Sequence, residues 1–157
     1  LIIGVLADTH GHTEGVLRQL RQQKIDCLLF AGDFYNDGQK ISGSLKIKHH
    51  SVLGNCDRNF KGAKTEEFIE ILGHKFYLTH GHQWGVKKGV NRLYYRALEL
   101  GADAVVYGHT HVPHLKQEGD IWMINPGSPT RPRFGSPGTY GLIEVEQGVL
   151  KPRLIGI

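Results

Sequence analysis

Leu1-Ile2-Ile3-Gly4-Val5-Leu6-Ala7-Asp8-Thr9-His10-Gly11 decides how the rest of the chain is read. Its first seven residues are apolar and rich in β-branched side chains, the pattern of a strand buried on both faces. Where the apolar run stops, an aspartate and a histidine follow two residues apart, beside a glycine. Side chains at i and i+2 of a chain leaving a strand point the same way, so Asp8 and His10 can grip one cation. Working outward, Thr13 is placed to cap a helix running to about Lys24, with Val16, Leu17 and Leu20 on its inner face. Asp26 to Ala31 is a second buried strand, residues 36–44 are compatible with a short helix, and a third strand runs from about Lys46 to Leu53. Strand, helix and strand at this spacing form a βαβ unit, which implies a parallel sheet.

Farther along, Glu67 to Leu72 alternates, Gly73-His74 turns and Lys75 to Thr79 returns, the signature of a hairpin. Val86, Val90, Leu93, Tyr94, Ala97 and Leu98 recur at helical spacing up to a terminating Gly101. Asp103 to Tyr107 is a short strand, and 112–117, 121–124, 139–146 and 149–155 read as further strands. The first half thus reads as parallel α/β and the second as antiparallel. Two sheets packed together with helices outside accommodate both.

The 157 residues make about one domain, 1–157, large enough to bury a real core. Hydrophobic residues at 39% and charged residues at 22% exclude a disordered chain and a coiled coil. The longest clean apolar run, Leu1 to Ala7, is far short of a membrane span. Cys27 and Cys56 form no CxxC pair, so disulfides do not organise the fold and a reducing compartment is expected. With no signal-peptide pattern, the expected location is the cytoplasm. A net charge of +4 is a mild excess that favours anionic ligands without indicating stable nucleic-acid binding. Ten histidines are the unusual feature of the composition.

Five segments share one grammar, an apolar strand that stops and is followed by ligand-type residues beside a glycine. They are Asp8-Thr-His10-Gly, Gly32-Asp33, Gly54-Asn55-Cys56-Asp57, His80-Gly-His82 and Gly108-His109-Thr-His111. Ligands in open α/β sheets bind outside the carboxyl ends of strands. Asp8, His10, Asp33, Asn55, His80, His109 and His111 are too many donors for one mononuclear site with open positions. They suit two metals sharing a carboxylate. Oxygen and imidazole donors without thiolate fit manganese, iron, cobalt, nickel or zinc. Singly, each of these motifs is weak; their ordered conjunction after strands carries the reading.

The same five blocks resemble the signature blocks of the calcineurin-like metallophosphoesterases, and Asn125-Pro-Gly-Ser128 resembles a further block of the small YfcE-like branch. The resemblance implies a four-layer αββα sandwich of two mixed β-sheets flanked by helices. It implies that Asp8, His10, Asp33 and His111 hold one metal and Asp33, Asn55, His80 and His109 the other, with Asp33 bridging. It also implies a dinuclear phosphodiesterase in which a metal-bridging hydroxide attacks phosphorus in line, with two divalent ions per chain, manganese first. The expected substrate is a small phosphate ester, and the expected assembly a homo-oligomer, dimer or tetramer. Two divalent ions, two aspartates and a hydroxide leave about +1 where a phosphate diester docks.

Many relatives carry histidine where Cys56 stands. Cys56 is read as a buried filler or as a weak acid near the substrate. Asn55 and Asp33 are placed in the catalytic centre. His82 is a candidate for assisting the leaving group, and Arg133 for clamping a phosphate. Asp57 and His12 are candidates for orienting ligands, whereas His49, His50, His74 and His114 are read as structural or exposed. Two other functions fit the same fold, a non-catalytic scaffold and a nuclease acting on DNA or RNA. The retained Asp33 and Asn55 argue against the first. The modest charge and the lack of an added nucleic-acid domain argue against the second.

Overall fold

The computed structural model describes residues 1–58 and 60–157. In chain order the elements are β1 (Ile2–Leu6), α1 (Glu14–Gln23), β2 (Cys27–Phe30), α2 (Tyr35–Leu45), β3 (Lys48–Ser51), β4 (Glu66–Ile71), β5 (His74–Thr79), α3 (Asn91–Leu100), β6 (Ala104–Val106), β7 (Pro113–Glu118), β8 (Ile121–Pro126), β9 (Thr139–Glu146) and β10 (Val149–Gly156), with a 3-10 turn at His82–Trp84. One five-stranded sheet has the order β10-β9-β1-β2-β3 and the other β4-β5-β6-β8-β7. Both are mixed. β1, β2 and β3 run parallel, as do β5, β6 and β8, while β9, β10, β4 and β7 pair antiparallel.

Side-chain alternation builds the layers. Ile3, Val5, Ala7, Leu29 and Ala31 point inward and meet Phe76, Leu78, Ala104, Val106 and Ile124 of the other sheet. The intervening Leu6, Leu28 and Phe30 point outward onto Val16 and Leu20 of α1 and Ile41 of α2. On the far side Tyr77, Val105 and Met123 cover Leu93 and Ala97 of α3. The result is helix, sheet, sheet, helix, the four layers the sequence leads one to expect.

Several local expectations change. The chain does not divide into a parallel half and an antiparallel half. The C-terminal hairpin returns to the first sheet, where β9 lies antiparallel to β1 with Ile3 opposite Ile143. Apolar alternation marks a strand without naming its partner. Thr13 precedes α1, but its hydroxyl makes no capping bond. The hairpin turns at Leu72-Gly73, where both residues have positive φ, one position earlier than expected. α3 starts at Asn91 rather than near Val86, because Gly89 has a φ of 143° that no helix contains. Val86 is still buried, against the α3 side of the second sheet. Leu98, expected on the inner face, is half exposed. Among the described residues no helix is long and apolar enough to cross a membrane.

Leu29 sits between the sheets with no exposed surface. Leu29→Ala should therefore cost about 2–5 kcal/mol of folding stability. Leu72→Ala, at a position 65% exposed in the hairpin turn, should stay within about 0.5 kcal/mol. Equilibrium urea unfolding of the two variants at constant metal concentration checks the contrast.

Candidate metal centre

The carboxyl ends of β1, β2, β5 and β6, and the loop after β3, open on one edge of the sandwich. Main-chain bonds tie these ends together. Asp8 N–H donates to Gly32 O at 3.0 Å, and Gly108 N–H donates to His80 O at 3.0 Å. The approach is close enough that a Cβ on Gly54 would overlap the Asp33 carboxylate, so only glycine fits there. Five of the seven expected ligands adopt the left-handed region, Asp8 at φ 55°, His10 at 49°, Asp33 at 59°, His109 at 73° and His111 at 59°. Non-glycine residues persist there only where their surroundings over-determine the backbone, and such residues concentrate at functional sites.

The bonds that hold them come from polar side chains around the loops. Asp37, buried in the first turn of α2, accepts from Thr9 Oγ1 at 2.6 Å and from Gly11 N–H at 2.8 Å, which fixes the loop carrying His10. Asp57 accepts from Gly54 N–H and Tyr35 N–H, both at 2.8 Å, and so sets the approach to Asn55. Ser128 Oγ donates to Asp8 O at 2.8 Å. Asn125 Nδ2 reaches Gly108 O at 3.2 Å and Thr110 Oγ1 at 2.9 Å, which steadies the turn carrying His109 and His111. Sequence reading had singled out Asp57 and the Asn125–Ser128 block. Asp37 carried no signal, because a lone aspartate inside a helix looks like a solvated surface group.

One ligand atom each from Asp8, His10, Asp33 and His111 lies within 4.8 Å of the other three. His111 Nε2 is 3.5 Å from Asp8 Oδ1 and 3.3 Å from His10 Nε2, which in turn is 3.9 Å from Asp33 Oδ2. Next to them, His80 Nε2 lies 3.5 Å from Asp33 Oδ1 and 3.0 Å from Asn55 Oδ1, with the His109 ring 5.1 Å from the His80 ring between centroids. Asp33 therefore stands between the two groupings.

Proton positions show what this arrangement fits. His80 Nδ1–H donates to Ala31 O at 2.7 Å, and His111 Nδ1–H to Arg131 O at 2.8 Å. Each Nε2 therefore presents a lone pair inward. Asp8 Oδ2 takes the His109 N–H at 2.9 Å, while its fully buried Oδ1 has no hydrogen-bond partner. His80 Nε2 and Asn55 Oδ1, both acceptors, face each other with no proton to share. Acceptors that converge in this way, one of them an orphaned buried carboxylate oxygen, fit a divalent cation.

Electrostatics agrees. Burial first, and the Asp33 charge second, push the Asp8 carboxyl well above the usual range when no cation is present. At Asp33 burial also pushes upward, but His80, the Cys56 N–H at 3.0 Å and His10 outweigh it, and the group lies below its ordinary value. Burial lowers His10, His80, His82 and His111. Burial, together with His80, Lys87 and His82, lowers His109 to about 4. Neutral imidazoles are the form that binds metal.

The remaining expected residues lie around this centre. His82 is half-buried, its ring 5.4 Å from His80 and 6.0 Å from His109. Cys56 is not a buried filler. Its thiol is exposed beside the centre, and Cys56 N–H donates to Asp33 Oδ1. Burial, then a hydrogen bond and charge from Asp33, raise its pKa, so it is a thiol rather than a thiolate at neutral pH. Arg133 is exposed, and its N–H donates to His111 O at 3.2 Å. His12 is exposed on its loop. His49 is bonded to Ser42, His50 to Glu67 and His114 to Tyr107, structural roles all.

Residues 1–148 match the calcineurin-like phosphoesterase superfamily domain, and the chain belongs to that superfamily. The phosphodiesterase YfcE of Escherichia coli strain K12 is 31% identical over 162 residues, spanning 88% of this chain and 84% of the relative. A protein of Streptococcus pneumoniae TIGR4 described as a predicted phosphoesterase superposes with a TM-score of 0.82 at 28% identity, covering 99% of this chain and 88% of that one. Vps29 of Entamoeba histolytica, complexed with Zn2+, superposes with a TM-score of 0.77 at 24% identity over 99% of each chain, a likeness of fold. The chain is thus a member of a metal-dependent phosphoesterase family, with an Asp/His cluster able to hold a cation.

Acidification should destabilise the metal-free protein. An unfolded histidine titrates near 6.5, whereas His10, His80, His82, His109 and His111 titrate lower when folded. The unfolded chain then binds more protons, so their contribution is fully present above pH 6.5 and is lost as pH falls, toward about 4 for His109. Asp8, raised in the fold, acts in the opposite sense: its share of stability declines as pH climbs above the carboxylate range. Burial lowers His49 and His114 as well, so seven groups stand against one and the net slope is positive between pH 5 and 7. Thermal unfolding in chelator across that range measures it, and a flat or falling profile contradicts the assignment.

Proposed function

We propose that the chain is a dinuclear metal-dependent phosphodiesterase acting on small phosphate esters. In this reading Asp8, His10, Asp33 and His111 hold one ion, Asp33, Asn55, His80 and His109 hold the second, and Asp33 bridges. The observation that carries it is the inward convergence of acceptor atoms about Asp8 Oδ1 and Asp33, in two groupings that share Asp33. The donor set is compatible with manganese, iron, cobalt, nickel and zinc, and the family resemblance puts manganese first. Residues 1–157 are taken as one domain, cytoplasmic and assembling as a homo-oligomer.

Divalent ions bound there would acidify a water molecule and neutralise charge on the phosphoryl oxygens. The chain's own residues do the rest. Ala31 O and Arg131 O aim the His80 and His111 rings, so their lone pairs are set before any ion arrives. Arg133, beside His111, supplies positive charge for a phosphate oxygen. Cys56 adjoins Asn55 and the His82 ring lies 5.4 Å from that of His80, so each is a candidate to give a departing oxygen its proton. Asp33 and Asn55, both present, favour an enzyme over a non-catalytic scaffold of the same fold. A nuclease function would need a larger basic surface than the net charge of +4 offers.

Elemental analysis of saturated protein should find two ions per chain, and one ion at saturation refutes the dinuclear reading. Asp33→Ala should abolish binding of both and lower diester hydrolysis by roughly a hundredfold or more. Asn55→Ala should keep one ion and lose roughly tenfold. Near-normal turnover and metal content in Asp33→Ala would remove the bridge.

Leaving-group chemistry separates Cys56 from His82. An aryl leaving group is a stable anion that needs little protonation, and an alkyl one needs an acid. If no side chain compensates for Cys56, Cys56→His should raise turnover of alkyl esters more than aryl esters. If His82 already donates, His82→Ala should impair alkyl esters selectively and Cys56→His should change little. Matched aryl and alkyl diesters at equal metal loading provide the measurement. Equal responses of both classes to both variants would mean that neither residue acts on the leaving group.

A further inference from the structure

A cavity of about 450 Å³ that no catalytic step above uses adjoins the turn between β6 and β7. Its lining is mostly apolar, with Val90, Val112, Pro113 and Phe134, and includes the cations Lys87 and Arg133. Thr110, which also lines it, is flanked in the chain by His109 and His111, so the cavity and the acceptor cluster share one turn. The geometry points to a substrate subsite in which this cavity takes an apolar, ring-sized ester arm of a phosphodiester while Lys87 and Arg133 hold the anionic phosphate at the mouth.

Three observations favour that occupant. The first is size. A volume of about 450 Å³ falls in the range of small-molecule sites, and it exceeds what a bare phosphate needs. The second is charge. Lys87 and Arg133 both line the cavity, and Lys87 acts electrostatically on Asp8 and His109, and Arg133 on Asp8, His10 and His111, so both cations are near enough to the cluster to be felt there. An anionic head on an apolar body is the complement of such a lining. The third is Phe134. Its side chain is 92% exposed, and its backbone is held at a φ of 52°. An aromatic ring left almost wholly in water at the edge of an apolar cavity gains from covering an apolar ligand there.

The subsite deepens the phosphodiesterase reading and rests on it for the chemistry, but its binding is tested separately. Metal-loaded protein is titrated calorimetrically with diphenyl phosphate and with dimethyl phosphate, which carry the same anionic diester head. Diphenyl phosphate should bind roughly tenfold tighter or better, as expected for burying a ring rather than a methyl group. Phe134→Ala, at a position too exposed to affect folding, should remove most of that preference, and Val112→Gln, elsewhere in the lining, should do the same. Lys87→Ala should weaken both ligands by the same factor, because it acts on the shared head. Equal affinities for the two diesters, no binding of either, or a preference that survives both wall variants would overturn the subsite. Hydrolysis of bis-p-nitrophenyl phosphate by the same sample reports on the phosphodiesterase reading. Diphenyl phosphate bound selectively without diester hydrolysis would leave the subsite standing and remove the chemistry. Hydrolysis without aryl preference would do the reverse.

Discussion

Asp8 is a carboxylate with no exposed surface, one oxygen bonded to a main-chain N–H and the other to nothing. A group in that condition is costly without a partner of opposite charge. Much of the architecture on this edge of the molecule follows from it. The parallel strands β1, β2, β5 and β6 all end here, and their side-chain donors are His and Asp turned toward the same small volume. The glycine at 54 clears space for Asp33. The imidazoles turn their protons outward to carbonyls and their lone pairs inward. Each of these arrangements adds to the same deficit of positive charge, which a divalent cation offsets.

Holding such a centre opposes what the rest of the sandwich does for stability. Between the sheets, apolar side chains interdigitate without polar atoms. At the strand ends, several ligands sit in a backbone region that disfavours side chains, and uncharged histidines crowd two aspartates. The supporting bonds from Asp37, Asp57, Asn125 and Ser128 offset that strain by fixing each loop from behind. These four residues touch no reacting group, yet they restrict where the ligands point. Stability and function are thus divided between the two ends of each strand, as is usual where a rigid sheet presents loops to a ligand.

The surroundings of the centre are not symmetrical. On one side Asn55 and Cys56 are open to solvent. On the other, the turn of His109 to His111 adjoins a mostly apolar cavity with two cations in its lining. A mild overall charge of +4 conceals this local contrast between an acceptor-rich centre and a cavity lined by apolar and basic side chains. Field and shape at a site are set by which charges are adjacent, and the sum over the chain says little about them.

Much of this was legible in the amino-acid order. Period-two burial in Ile3, Val5 and Ala7 against Leu6 follows from the pleat of a strand, so strands, faces and the two-sheet layering can be read locally. The ligand-type residues also announce themselves, since each follows the last apolar residue of a strand. Four things came only with the tertiary structure. The return of β9 to β1 depends on a pairing across 140 positions, which no local period encodes. The exposure of Cys56 comes with a loop whose N–H at that position is taken by Asp33, from a different loop. Asp37 became a support only when α2 placed it under the Thr9–Gly11 backbone. Lys87, Phe134 and Val112 lie apart in sequence and became one cavity lining because β6, β7 and two loops meet there. Short-range periodicity is a property of backbone geometry and is written in the sequence. Which strand ends, loops and charges become neighbours is decided by the lowest-energy packing of the whole chain.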